Sequence, residues 1–214
     1  MIEAVLFDMD GVLVDSEAYI RQAAMKMFAE KGYEVSEADF MPFTGMGENR
    51  YLGGVAEKHQ IPFDLEEDKR RTYEIYAQLV RGKLDPLDGV KDFIYNCIYR
   101  NLKLAVASSA DPVKVHINLD EIGLDRSLFQ AIVTGLDIEH KKPAPDIFIK
   151  AAELLGVSPE RCLVVEDAIS GVQAGKSAGA KVLALKTSFT SEELAAADWI
   201  TDTLATAEDQ VLDW

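Results

Sequence analysis

Short apolar runs recur along the chain, and each ends abruptly at a polar residue or a glycine. The first run extends from Ile2 to Phe7 and stops at Asp8. Runs of this length that end in turn residues are typical of buried strands in a parallel sheet. Strands are therefore predicted at the first run and at 102–107, 131–134, 162–166, 181–185 and 198–200.

Between the first and second runs, the apolar residues change to helical spacing. Residues 18–31 carry them at positions i, i+3, i+4, i+7 and i+8, which predicts an amphipathic helix. Further helices are predicted at 48–60 and 65–81. The sequence thus indicates a helical domain, residues 16–83, inserted into a core domain formed by residues 1–15 and 84–214.

After the insert, strands alternate with helices. The predicted helices end near Arg100, Ile122 and Ala178, and two more cover 145–155 and 191–197. Alternation of this kind predicts an α/β fold, a doubly wound parallel sheet with helices on both faces.

The charge of the chain bears on its partners. With 22 basic and 37 acidic residues, the formal net charge is -15, so we expect neither nucleic acid nor a membrane surface as a partner. No apolar run approaches the ~20 residues of a membrane span. We expect no secretory signal, and the two cysteines form no disulfide framework. A cytoplasmic monomer is the expectation.

Two carboxylates follow the first predicted strand directly. Asp8 and Asp10 are two positions apart, so in extended chain their side chains face the same side, about 6–7 Å apart. Ligands bind at the carboxyl ends of strands in open α/β sheets, and two like charges there favour a divalent cation. The alternative is that Asp8, Asp10 and Gly11 are ordinary turn residues.

Other predicted strands end in polar groups that the same site would need. Ser108 and Ser109 follow the second strand, where a hydroxyl and backbone N–H groups can bind an anion. The alternative is a helix N-cap, which Ser109 or Asp111 could equally provide. Lys142 precedes a proline and can neutralise a carboxylate or a phosphoryl oxygen, whereas we interpret Lys141 as solvated. Glu166 and Asp167 end a buried strand, where two adjacent acids are costly unless a cation is present.

Taken in order, these motifs resemble the haloacid dehalogenase (HAD) superfamily, and more narrowly its beta-phosphoglucomutase-like branch. The resemblance rests on Asp8-Met9-Asp10-Gly11-Val12, Lys142-Pro143-Ala144-Pro145-Asp146, and Glu166-Asp167-Ala168 with Gly171. It covers essentially the whole chain and implies a Rossmann-like HAD core with a helical cap after the first motif.

The resemblance also implies a role for each site residue. Asp8 is the nucleophile that forms an aspartyl-phosphate, and Asp10 is the general acid and base. Mg²⁺ is bound by Asp8, the Asp10 backbone carbonyl and Asp167, with help from Glu166. The phosphoryl oxygens are held by Ser108, Ser109 and Lys142.

The sequence departs from the mutases where they bind a second phosphate with cations. Asp111 stands at one such position, and the cap stretch 43–48 is acidic or neutral, with Arg50 as the only nearby substitute. We therefore expect a phosphatase of a small phosphomonoester such as a sugar phosphate, with beta-phosphoglucomutase as the alternative. A non-catalytic module that binds cations or phosphate is a second alternative. Residues 45–50 are interpreted as a cap loop that can close over the site.

Overall fold

The first strand lies in the middle of a six-stranded parallel sheet in the computed structural model, which describes residues 1–43 and 47–214. The order of the strands is β3-β2-β1-β4-β5-β6, and all neighbours are parallel. Their bounds are β1 Ala4–Phe7, β2 Lys103–Ala107, β3 Ala131–Val133, β4 Cys162–Glu166, β5 Lys181–Leu185 and β6 Trp199–Thr201. The predicted α/β parallel sheet is confirmed.

Strand β1 is apolar throughout because both of its faces are covered. Val5 and Phe7 belong to the core on one face of the sheet, and Ala4 and Leu6 to the core on the other. All four side chains are fully buried, and the Phe7 ring meets the edge of Phe93 with 6.1 Å between centroids. A strand buried on both faces needs this continuous apolar run.

Helices cover both faces of the sheet, and five of those in the described residues lie between β1 and β2. These five are α1 Glu17–Glu30, α2 Glu37–Phe40, α3 Glu48–His59, α4 Leu65–Val80 and α5 Val90–Tyr99. The remaining α-helices of the described residues are α6 Pro112–Glu121, α7 Asp146–Leu155 and α8 Ile169–Ser177. Within the described ranges, no helix combines the length and apolar character that a bilayer span needs.

The predicted cap loop is described only from Gly47 onward. Thr44, Gly45 and Met46 lie outside the described residues. Helix α3 begins at Glu48, within the stretch interpreted as a loop. The division of the chain into core and cap domains stays a prediction.

The prediction of a helix at 191–197 is wrong, because this segment forms only turns. One turn closes where the Leu194 N–H donates to the Thr190 carbonyl at 3.1 Å, and the Ala197 N–H then donates to the Leu194 carbonyl at 2.9 Å. Directly afterwards the Asp198 N–H bonds to the Val182 carbonyl at 2.9 Å, which joins the chain to the sheet. The connection to β6 therefore leaves no room for a longer helix.

Candidate active site

The register of the central strands brings three motifs to the same level. Phe7 pairs with Val106 on β2 and with Val165 on β4. The residues that follow these three, Asp8, Ala107 and Glu166, therefore meet at the carboxyl edge of the sheet. This is the edge at which ligands bind in open α/β folds.

A cavity of about 870 Å³ opens at this edge. Helices α1 and α3 contribute to its outer wall through Ile20, Glu48 and Tyr51. All seven site residues predicted from the sequence line it, namely Asp8, Asp10, Ser108, Ser109, Lys142, Glu166 and Asp167.

Lys142 connects the first and last motifs at the base of the cavity. Its Nζ donates to Asp8 Oδ1 at 2.5 Å, to Glu166 Oε1 at 2.6 Å and to the Ala107 carbonyl at 3.3 Å. Burial disfavours its charged form, but the carboxylates of Asp8 and Glu166 outweigh that effect and raise the pKa of Lys142. Lys142 is therefore a fixed positive charge beside Asp8.

Glu166 holds both Lys142 and the loop that follows β4. Its Oε1 accepts from Lys142, while its Oε2 accepts from the backbone N–H groups of Asp167 and Ala168 at 2.9 and 3.0 Å. Gly171 packs against this carboxylate so closely that a Cβ there would lie 1.8 Å from Glu166 Oε1. The glycine is thus required by the position of Glu166.

Replacing Gly171 by Ala is expected to destabilise the fold by about 1–3 kcal/mol, as overpacking of a core does. Glu166 is only 1% exposed, so it can retreat only by breaking its bonds to Lys142 and the loop. Urea unfolding measures the effect. Gly53→Ala is the matched control, because Gly53 also lies in a helix and a Cβ there would meet nothing closer than 3.8 Å. Equal stabilities of the two variants would contradict the argument.

Asp167 packs against the glycine of the first motif. Gly11 has φ +76°, and a Cβ there would lie 2.0 Å from Asp167 Oδ2. The Ser188 hydroxyl donates to the same oxygen, and the Thr187 hydroxyl donates to it at 3.3 Å. Sequence reasoning missed these two hydroxyls, although they follow the end of β5 and the same rule of strand ends could have found them.

The donor set fits a hard divalent cation. Asp8, Glu166 and Asp167 offer carboxylate oxygens that all lie within 4.8 Å of one another. Among the residues that the structure describes, one ammonium group, that of Lys142, is bonded to this group. Burial, and after it the charge of Glu166, raise the pKa of Asp167 to about 7. Burial also raises the pKa of Asp8, against the opposing charge of Lys142. Oxygen ligands with excess negative charge suit Mg²⁺.

Asp10 has a different environment from Asp8. Its Oδ1 accepts from the Ser16 hydroxyl, and its Oδ2 accepts from Lys114 Nζ at 2.7 Å. Lys114, on α6, is 2% exposed, and its Nζ also lies 3.6 Å from Glu17 Oε1. Sequence reasoning missed Lys114 and Ser16, since no local pattern indicates which side chains meet Asp10.

The serines after β2 lie where an anion could be bound. Ser108 is 3% exposed, and its Oγ accepts from the Ala110 N–H at 3.2 Å, so its O–H can donate to a ligand. Ser109 lines the cavity, and its carbonyl accepts from Lys141 Nζ at 3.5 Å. Of the two candidates for the N-cap of α6, Ser109 and Asp111, the structure has Asp111 at that position. Lys141, interpreted as solvated, instead packs against Gly47, where a Cβ would lie 1.9 Å from its Nζ.

Known proteins with similar sequences indicate the family to which the chain belongs. The family described as haloacid dehalogenase-like hydrolase matches residues 5–185. The chain is 33% identical over 178 residues to the phosphorylated carbohydrates phosphatase of Thermotoga maritima, covering 83% of this chain and 82% of that protein. It is 45% identical over 191 residues to the chloroplastic protein SUPPRESSOR OF QUENCHING 1 of Arabidopsis thaliana, covering 88% of this chain but only 18% of that protein.

A solved structure matches the whole chain. CbbY from Rhodobacter sphaeroides in complex with phosphate superimposes with a TM-score of 0.89 at 28% identity, covering 100% of both chains. A mutant of CbbY crystallised with xylulose-(1,5)bisphosphate gives a TM-score of 0.87 and covers 96% of both chains.

Proposed function

The chain belongs to the haloacid dehalogenase-like hydrolase family, and from this premise we propose that it is a Mg²⁺-dependent phosphatase of a small sugar phosphate, acting through an aspartyl-phosphate on Asp8. The main support is the contact of Lys142 Nζ with Asp8 Oδ1 at 2.5 Å, next to the carboxylate of Asp167. A carboxylate nucleophile, a fixed ammonium and a candidate cation site together supply what phosphoryl transfer requires.

In the first step the Asp8 carboxylate attacks phosphorus, and the bond from phosphorus to the ester oxygen breaks. Asp10, having taken up a proton, gives it to the leaving oxygen, so the product alcohol departs neutral. Lys142 and Ser108, with Ser109 beside them, hold the phosphoryl oxygens. Mg²⁺ bound by Asp8 and Asp167 would offset the repulsion between the nucleophile and the phosphate.

In the second step a water molecule attacks the phosphorus of the aspartyl-phosphate. Asp10 takes the proton of this water, the acyl-phosphate bond breaks, and Asp8 and inorganic phosphate are released. Ser16 and Lys114 both donate to the Asp10 carboxylate, and these two bonds fix its position for this step.

A phosphatase is favoured over a mutase by the charges farther from Asp8. Asp111 forms an ion pair with Lys69 at 2.9 Å, so neither is available to hold a second phosphate. Glu48, which lines the cavity on the cap side, would repel one. A mutase must bind a second phosphate, whereas a phosphatase needs only one phosphate site.

The proposal is tested by a phosphate-release screen over sugar phosphates, nucleotides and pyrophosphate in the presence of Mg²⁺. We expect free phosphate from at least one sugar monophosphate, loss of activity with excess EDTA, and recovery when Mg²⁺ is restored. Isomerised glucose phosphate without free phosphate would instead identify a mutase. No turnover of any compound would favour the non-catalytic module that binds cations or phosphate.

A further inference from the structure

The outer wall of the cavity carries a buried carboxyl group that the proposed chemistry does not use. Glu48 begins α3, lines the cavity and is 7% exposed. In the part of the chain that the structure describes, its Oε2 is buried and has no hydrogen-bond partner. The Tyr73 hydroxyl is also buried without a partner there, but Tyr73 does not line the cavity.

A buried oxygen without a donor is unfavourable, and most such atoms in proteins are hydrogen-bonded. Burial raises the pKa of Glu48 to about 7, although the charge of Lys114 opposes this effect. Glu48 lines the cavity, so rotation of its carboxyl group can present this oxygen to a bound molecule that provides the missing donor. The oxygen is therefore suited to accept a hydrogen bond from a ligand.

The surrounding charges limit what that ligand can be. Lys114 is already paired with Asp10 at 2.7 Å and approaches Glu17 at 3.6 Å, and Glu17 and Glu48 both line the cavity. This wall therefore offers two acids and one neutralised lysine, which disfavours a second phosphate or a carboxylate on the ligand. A hydroxyl or an ammonium group could supply the missing donor, and of these a sugar phosphate, the proposed substrate, carries the hydroxyl.

We propose that Glu48 determines specificity by accepting a hydrogen bond from a hydroxyl of the leaving group. The substrate class is a polyhydroxylated compound with a single phosphate, and sugar bisphosphates are disfavoured. This inference rests on the proposed phosphatase function, since Asp8 must receive the phosphoryl group for the rest of the molecule to reach Glu48.

The test compares kcat/KM for three kinds of compound. They are a panel of aldose and ketose monophosphates, the corresponding bisphosphates, and p-nitrophenyl phosphate, which has no hydroxyl to donate. We expect wild type to prefer at least one sugar monophosphate over its bisphosphate by about tenfold or more. In Glu48→Leu, kcat/KM for that monophosphate divided by kcat/KM for p-nitrophenyl phosphate is expected to fall by about tenfold to a hundredfold. This is the scale of losing a hydrogen bond to a charged group.

Two further variants separate binding from structure. Glu48→Gln keeps the shape and one acceptor but removes the charge. We therefore expect the kcat/KM ratio of monophosphate to bisphosphate to fall by a larger factor than kcat/KM for the monophosphate itself. Glu57→Gln makes the same change on an exposed part of α3, where Glu57 pairs with Arg50, and is expected to leave all the ratios unchanged.

The outcomes distinguish this inference from the function on which it rests. Equal losses on all three kinds of compound in Glu48→Leu would overturn the inference, because they indicate a structural role. So would wild-type turnover of bisphosphates as fast as of monophosphates. In both cases, p-nitrophenyl phosphate hydrolysis that requires Asp8 would leave the phosphatase proposal standing. Absence of hydrolysis of every compound by wild type would overturn both proposals.

Discussion

Asp8→Asn is expected to lower kcat for phosphate release by about 10⁴-fold or more, the scale seen when a covalent nucleophile is removed. The amide has nearly the same shape as the carboxylate but does not attack phosphorus. Lys142 keeps its bond to Glu166, so the base of the cavity stays occupied. Phosphate release with saturating sugar phosphate and Mg²⁺ measures the effect.

The thermal stability of Asp8→Asn should not fall. A loss of activity at unchanged stability would show that the variant lacks the nucleophile and is still folded. Burial raises the pKa of Asp8, so removing this carboxylate removes a buried charge that is unfavourable without a cation. A melting temperature equal to or above that of the metal-free wild type is expected. Asp120→Asn is the matched control, since Asp120 is exposed and pairs only with Arg126 among the residues described. Turnover by Asp8→Asn within tenfold of this control would rule out Asp8 as the nucleophile.

The intermediate should be detectable directly. In Asp10→Asn the aspartyl-phosphate loses the base that activates water, so hydrolysis of the intermediate slows. Intact-protein mass spectrometry after mixing with a reactive phosphate donor should then find one added phosphoryl group, which Asp8→Asn does not acquire. Such labelling in Asp8→Asn would identify a different nucleophile.

The parts of the site that could be predicted follow from one local rule. The end of a buried strand is visible in the sequence as a change from apolar to polar residues. The carboxyl ends of parallel strands lie at the same edge of the sheet. Strands β4 and β5 have the predicted bounds, and the residues predicted at the strand ends line one cavity. Asp8, Lys142 and Glu166 come together although 134 positions separate Lys142 from Asp8.

The parts that could not be predicted depend on how helices dock. Lys114 lies on the face of α6 that packs inward, and in the sequence it looks like any lysine of an amphipathic helix. Its role follows only once Asp10 and Glu17 are found beside it. The helix prediction for 191–197 was wrong for another reason. The composition of this segment favours a helix, but the chain is already hydrogen-bonded to β5 at Asp198. Tertiary contacts there override local preference.

Lys142→Ala is expected to lower kcat by about 10²- to 10³-fold, as for the loss of a group that stabilises the transition state electrostatically. Charge shifts on the phosphoryl oxygens during transfer, and Lys142 is the ammonium in contact with Asp8. The variant also leaves the buried carboxylates of Asp8 and Glu166 without this partner, so we expect a loss of stability of about 3–5 kcal/mol in the absence of metal. Steady-state kinetics well below the melting temperature, with urea unfolding in parallel, measure both effects.

Lys141→Ala is the matched control because it makes the same change one residue earlier in the same loop. Lys141 contacts the Ser109 carbonyl at 3.5 Å and is not bonded to the acids at the base of the cavity. We therefore expect kcat within a few-fold of wild type for this control and little change in stability. If Lys142→Ala raised only KM, its ammonium would bind the substrate and the transition state equally, and the electrostatic role assigned to it in the chemical step would be wrong.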